Sequence, residues 1–364
     1  MPYSGVAQDS RVAALDGLRA IAVGLVILNH TALPNSYVVE MFEPFQAGPF
    51  GVRLFFVLSG FLITGILTRA RAEAERTGGS RMRVLGAFYV RRGLRIFPVA
   101  YLALAIAWLI GDISMTRYPL WYLTYTPNIL IANIGWHGTM ARFWSLAVEE
   151  QFYLIWPFVI LWLPYRWLVP ALIGAIAMVG ALRGAMVANE SWITAFVLLW
   201  SRGDSLAFGA LLALVPSLPL RLMAGLGVAL VALGAVVVPT VHVIVSEWGL
   251  ILISGAIIAA ALNGRMSWLR WRPLVALGTI SYGLYVWHGF VPIIMRAVDR
   301  HWDVWPDHQG AIRLAYALVL SPLMAMLSWF WLEKPLNALK NRVPYVPDRA
   351  AESAAGASSG SVIA

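Results

Sequence analysis

Cysteine is absent from this 364-residue sequence, which excludes a disulfide framework, a thiolate metal site and a thiol nucleophile. The absence is silent about compartment. Charge is scarce as well: 12% of residues are Asp, Glu, Lys or Arg, where a soluble domain carries about 25%. No region is polar enough to form a separate soluble domain, and no internal repeat is visible. The histidines show neither H-x-x-H nor H-E-x-x-H spacing, so no metal is expected. The net charge of +9 raises nucleic acid as a partner. The arginines, however, lie between apolar segments, where charge sets membrane topology, and no nucleic-acid partner is expected.

What the chain has instead is apolar length. With 60% hydrophobic residues it reads as an all-α polytopic integral membrane protein, with about ten transmembrane helices in the lipid bilayer around a polar central cavity. Spans are expected at 15–33, 50–70, 84–110, 144–163, 168–188, 193–215, 221–240, 248–263, 273–296 and 310–333. The first lacks a small-residue cleavage site, so it is not a removable signal. Residues 119–135 are an ambiguous eleventh candidate, short for a span and holding Pro119, Pro127, Asn128 and Asn133. Charge placement decides. The cluster from Arg69 to Arg95 marks one loop as cytoplasmic, and the loops with Arg166, Arg221 and Arg265 fall on that side only if 119–135 does not cross. The expected topology is ten spans in the cytoplasmic (inner) membrane, both termini cytoplasmic, with 111–143 outside. Residues 11–336 form the transmembrane domain. Residues 337–364 form a cytoplasmic tail, mostly disordered because its last residues are small and polar.

Ionisable groups within spans are functional candidates by default. An α-helix turns ~100° and rises ~1.5 Å per residue, so Arg19 and His30 share a face about 16 Å apart, with Asp16 close to the same stripe. Glu149 and Glu150, in "FWSLAVEEQFYLIWP", and His288, in "GTISYGLYVWHGF", are expected at the depth of His30. Ser281 and Tyr285 share a face with His288. A lone carboxylate in mid-membrane costs about 2.5–3.5 kcal/mol, so these groups should pair in a polar cavity. An imidazole held by a carboxylate is equipment for general-base chemistry; the plain alternative is a histidine that only bridges helices. Arg202 and Asp204 lie ~200° apart on their helix and must each find a partner elsewhere, in an ion-pair network or on substrate. Arg53 and Arg183 lie near outer helix ends, where they can snorkel, and no role is assigned to them. Arg92 and Arg95 point to one side of the cytoplasmic mouth, where guanidinium forks suit a phosphorylated ligand or simply set topology. Ser59 is a candidate nucleophile, but beside Gly60 it also suits close helix packing.

Seven segments in order, covering about residues 11–336, resemble the membrane-bound acyltransferase-3 family: "LDGLRAIAVGLVILNH", "FFVLSGFLIT", "RRGLRIFP", "FWSLAVEEQFYLIWP", "RGDSLAFGAL", "ISYGLYVWH" and "WFWLEKP". The resemblance implies transfer of an acyl group, commonly acetyl from acetyl-CoA, to a hydroxyl of a carbohydrate, glycan or small hydroxylated acceptor. Acyl-CoA is then the donor substrate, and no tightly bound cofactor is expected. The resemblance implies that Arg19 and His30 form a signature pair with His30 catalytic, and that Arg92 and Arg95 matter for donor use. Some relatives carry a further hydrolase-like domain; this chain ends about 30 residues after its last span and is expected to act alone or with other proteins. On this reading the nucleotide of CoA stays at the arginine mouth and the pantetheine arm reaches inward. The acceptor approaches His30 from outside, with Glu149 or Glu150 assisting. The rival readings are a transporter or flippase and a non-catalytic scaffold in glycan export. Against the first stands the lack of paired broken helices.

Overall fold

The computed structural model describes residues 5–31, 47–302 and 310–346, which are helical with no β-strand among them. In chain order the main elements are α1 (Gly5–Thr31), α2 (Ala47–Thr77), α3 (Arg81–Leu109), α4 (Trp144–Trp162), α5 (Tyr165–Ala188), α6 (Leu199–Leu214), α7 (Leu220–Gly234), α8 (Pro239–Leu262), α9 (Arg272–Thr279), α10 (Ser281–Trp287), α11 (Val291–Trp302) and α12 (Gly310–Ser328). Among the described residues, seven helical stretches are long and apolar enough to cross a membrane, and an eighth if the bent pair at α9–α10 is one span. Helices occupy all ten expected positions, but α4 and α7 miss that measure. In α4 the run Glu149–Glu150–Gln151 lowers the mean hydropathy, and α7 has only 15 residues.

Residues 113–143 fold as the short helices Ile113–Arg117, Pro119–Leu123, Pro127–Ile134 and Thr139–Phe143. None approaches the roughly 20 residues a span needs. Pro119 and Pro127 each open one of them, where the missing N–H costs nothing. They also forbid a single helix through the segment.

The expected ninth span is not straight: α9 and the helix after it meet at 61°. Gly278, at the end of α9, lies against α1, and a Cβ there would sit 1.9 Å from the carbonyl oxygen of Asp16. This backbone contact fixes α10 beside the polar stripe of α1. At the crossing of α2 and α6, a Cβ on Gly60 would sit 1.9 Å from the Leu206 carbonyl oxygen, and one on Gly209 2.0 Å from that of Val57. The small-residue packing expected at Gly60 is thus met by a partner glycine.

Two arginines of the basic loop do more than carry charge. Arg71 is buried; it donates to the carbonyls of Ile160 and Leu163 at 2.6 and 2.8 Å and covers the Tyr165 ring. It thereby clamps the α4–α5 turn. Arg91 donates to the carbonyls of Lys340 and Val343 at 2.6 and 3.0 Å and covers the Tyr345 ring. The first ten residues of the expected tail are therefore held against α3. Residues 347–364, expected to be disordered, lie outside the described residues.

Candidate active site

Two cavities share Val52 and Tyr285 in their walls. The first, of about 150 Å³, is lined by Arg19, Ser59, Arg92, Arg95, Glu149 and Tyr153 among others. Arg19 pairs with Asp16, one turn earlier on α1. On α3, Arg92 and Arg95 stand at i, i+3 and so reach the same chamber. On α4, Glu149 and Tyr153 do so at i, i+4. Ser59 Oγ donates to Glu149 Oε1 at 2.5 Å. The Arg92 guanidinium lies 4.1 Å from the centre of the Tyr153 ring, and its Nε is buried without a hydrogen-bond partner. Three guanidiniums thus face one chamber that holds a single carboxylate beyond the one already paired with Arg19.

The second cavity, of about 730 Å³, is lined by His30 from the end of α1, by Trp136 and Arg142 from the segment between α3 and α4, by Trp144 at the start of α4, and by Phe196 and Arg296. His30 Nδ1 lies 3.1 Å from His288 Nε2, with the two rings stacked at 15°. His288 Nδ1 lies 2.6 Å from the carbonyl oxygen of Tyr285. These contacts fix the protons. A carbonyl only accepts, so His288 Nδ1 carries the hydrogen. In a neutral imidazole Nε2 is then an acceptor, and His30 Nδ1 must donate to it. His30 is left with an unprotonated Nε2 that has no hydrogen-bond partner among the described residues. Tyr285, on the partition, donates its hydroxyl hydrogen to the Arg142 carbonyl at 2.7 Å and therefore accepts from Ser145 Oγ.

The expected site residues divide between these places. Asp16, Arg19, Ser59, Arg92, Arg95 and Glu149 gather at the first cavity, and His30 and His288 meet beside the second. The carboxylate partner expected for His30 is corrected: Glu149 bonds Ser59, and the neighbour of His30 is His288. The reason is axial. Ser145 stands at the level of Tyr285, and Glu149 follows four residues later, about 6 Å along α4, which carries it into the arginine chamber. Glu150 points elsewhere around the helix, lines neither cavity and has Oε1 buried without a partner. Ser59 serves as a hydrogen-bond donor to Glu149, at a position the sequence had left open between nucleophile and packing.

Arg202 and Asp204 each find a partner on another helix, as their angular separation requires. Arg202 pairs with Glu247 and Asp204 with Arg183, both at 2.8 Å. Arg53 also pairs with Glu247. Arg53 and Arg183 do not snorkel; each is 2% exposed. Arg183 in addition donates to the carbonyls of Val243 and Ser201 at 3.0 and 2.9 Å. Arg202 and Asp204 are members of this buried network.

Sequence reasoning passed over Arg142, Tyr153 and Glu247. Glu247 lies just before the span expected at 248–263, whereas α8 begins at Pro239 and carries it two turns inside. Its signal was a lone carboxylate in an apolar run. Asp112 was missed too. It caps the helix after it, with Oδ1 accepting from Ser114 N at 2.9 Å and Oδ2 from Thr139 N at 3.0 Å. Burial pushes its carboxyl up, but these hydrogen bonds outweigh that and hold it below the ordinary carboxylate value.

The acyltransferase domain that defines the acyltransferase-3 family matches residues 12–332. The chain belongs to this family. Among curated acyltransferase-3 relatives it is similar to the putative peptidoglycan O-acetyltransferase YrhL of Bacillus subtilis, at 28% identity over 90% of this chain and 55% of that one. It is also similar to the peptidoglycan O-acetyltransferase OatA of Listeria monocytogenes, at 29% identity over 90% of this chain and 56% of that one. The O-acetyltransferase OatA of Staphylococcus aureus is 28% identical over 89% of this chain and 57% of its own length. The chain thus spans about half the length of the curated acyltransferase-3 relatives it matches. No solved structure matches it significantly.

Proposed function

We propose that this chain is an integral-membrane O-acyltransferase that moves an acyl group, acetyl by analogy with its named relatives, from acyl-CoA to a hydroxyl of a glycan. The observation that carries the reading is the His30–His288 pair, which leaves His30 Nε2 unprotonated beside a large cavity next to a chamber of three arginines. Family membership supports this reading over a transporter or a scaffold.

The arginine chamber takes the donor. Its guanidiniums suit the phosphates of a nucleotide thioester, and a space of about 150 Å³ suits the slender pantetheine arm. In the proposed orientation this chamber opens to the cytoplasm, where the basic loop lies, and the histidine cavity opens to the opposite side. The thioester reaches His30 past Tyr285.

His30 Nε2 supplies the lone pair the reaction needs. In direct transfer it takes the proton of the acceptor hydroxyl as that oxygen attacks the thioester carbonyl. The tetrahedral intermediate then expels the CoA thiolate, which recovers the proton. In the two-step route Nε2 attacks the thioester carbonyl and expels the CoA thiolate; the acceptor hydroxyl then attacks the acyl group on the ring, its proton passes to the thiolate, and His30 leaves with its lone pair restored. His288 serves both, because it holds the His30 proton on Nδ1 and stabilises the imidazolium that forms. General-base help of this kind contributes about 10²–10⁴-fold. The purified chain should release CoA from acetyl-CoA in an acceptor-dependent manner, measured with a thiol reagent that meets no cysteine in the protein. Absence of release with every glycan acceptor offered, from folded protein, would remove the assignment.

A further inference from the structure

Among the described residues, Arg142 at the histidine cavity has a guanidinium that pairs with no carboxylate. It stands at the end of the short helix Thr139–Phe143. Its carbonyl is taken by Tyr285 Oη at 2.7 Å. Its guanidinium has five N–H donors, yet its single hydrogen bond among the described residues is a long one, Nη1 to the Gly289 carbonyl at 3.4 Å. No carboxylate pairs with it there. The acid that lines the same cavity, Asp112, has both oxygens committed to the backbone N–H groups of Ser114 and Thr139. Arg296 adds a second guanidinium to the lining. The Arg142 guanidinium stands beside a partition shared with the chemistry: Tyr285 binds Arg142 through its hydroxyl and His288 through its carbonyl.

The opposite character of the cavity is aromatic. The rings of Trp136, Trp144 and Phe196 form one cluster, with centroids 5.0 to 6.3 Å apart. Trp136 is half-exposed and lines the cavity. The flat C–H face of a pyranose matches such a ring, while its hydroxyls need the polar groups at the rim. At about 730 Å³ the space lies within the range of sites for small organic ligands.

We infer that the histidine cavity is the acceptor site and that it selects a sugar carrying an anionic group, carboxylate or phosphate. Arg142 binds the anion as a bidentate fork while Trp136 and its neighbours cover the pyranose face. A sugar held at both points presents a hydroxyl to His30. This inference rests on the proposed acyl transfer for its biological meaning, but its test does not.

The test is binding to the purified full chain in nanodiscs without donor, followed by tryptophan fluorescence and calorimetry. The probes are N-acetylmuramic acid, its neutral methyl ester, N-acetylglucosamine and N-acetylglucosamine 1-phosphate. The wild type should bind the acid about tenfold or more tightly than the ester, as expected for a charged hydrogen-bonded pair. The acid-to-ester ratio should fall to within twofold in Arg142→Gln and be partly kept in Arg142→Lys. That ratio is internal to each preparation and is independent of how much protein is folded. Preference for the 1-phosphate over N-acetylglucosamine would assign a phosphate-bearing acceptor, and preference for the acid alone a carboxylate. Equal affinity for charged and neutral sugars, no binding of any of the four, or an unchanged ratio in Arg142→Gln overturns the inference. CoA release with the same sugars is scored separately. Charge-selective binding without transfer would leave this inference and remove the transferase reading. Equal transfer to acid and ester would do the reverse.

Discussion

His30 and His288 share one hydrogen bond, Nδ1 to Nε2 at 3.1 Å, although 258 residues separate them in the chain. His288 is anchored in turn by the carbonyl of Tyr285 at 2.6 Å. The pair is asymmetric: His288 has both ring nitrogens engaged, whereas His30 has one to spare. In the proposed transfer we assign His30 as the reacting imidazole and His288 as the group that holds it.

Substitutions at His288 test that division. His288→Leu should lower kcat about a hundredfold, the scale of loss when a reacting group is misplaced by an ångström. KM for acyl-CoA should stay unchanged. His288→Gln offers an amide oxygen to the His30 Nδ1–H and should recover part of the loss. Equal damage from Leu and Gln would mean that His288 acts by shape alone.

The arginine chamber predicts a different signature. Arg92→Ala and Arg95→Ala should each raise KM for acyl-CoA about ten- to a hundredfold, the effect of losing a charged hydrogen bond of roughly 1.5–3 kcal/mol. Arg92→Lys should rescue only in part, because the planar fork is lost. Glu149→Gln should alter donor affinity and leave the pH profile of kcat where it was, since Glu149 bonds Ser59. A shifted pH profile would return Glu149 to the imidazoles.

The Arg183–Asp204 pair, 2% and 1% exposed, predicts a loss of stability. Asp204→Asn leaves an uncompensated buried guanidinium and should cost about 3–5 kcal/mol, read as a drop in the thermal unfolding midpoint. Replacing both residues by Leu and Met should cost less than either single change. Full stability with lost turnover in Asp204→Asn would instead place the pair on substrate.

Topology is open to cysteine labelling, because the chain has no cysteine of its own. Ser114 is fully buried and is a poor reporter; Thr116 and Ser267 are exposed. With both termini cytoplasmic, Thr116→Cys should react with a membrane-impermeant reagent from outside and Ser267→Cys only after permeabilisation. Labelling of Ser267→Cys in intact cells contradicts that orientation.

How much of this was legible depended on whether the information was local. The placing of Asp16 near the stripe of Arg19 and the wheel angle between Arg202 and Asp204 are properties of single helices, and both readings match the fold. So does the refusal of 119–135 to form a span, which Pro119 and Pro127 enforce. Depth was harder to read. Counting ~1.5 Å per residue from helix ends that are uncertain by several residues put Glu149 level with His30, and one turn of error separates the two cavities. The bend after Thr279 was hidden, because it depends on a backbone contact between Gly278 and Asp16 made by distant segments. Arg53 and Arg183 were misplaced because their partners, Glu247 and Asp204, lie on other helices.

The central claim, that His30 Nε2 is the base or nucleophile, is tested most directly by acceptor-dependent CoA release from acetyl-CoA by purified His30→Gln beside the wild type. Both must be shown to be folded by matching thermal unfolding. Glutamine keeps a hydrogen bond to His288 but cannot take a proton or carry an acyl group. Turnover should fall by at least about 10²-fold, the lower end of what general-base help contributes. A folded His30→Gln protein that releases CoA within tenfold of the wild-type rate would contradict the account.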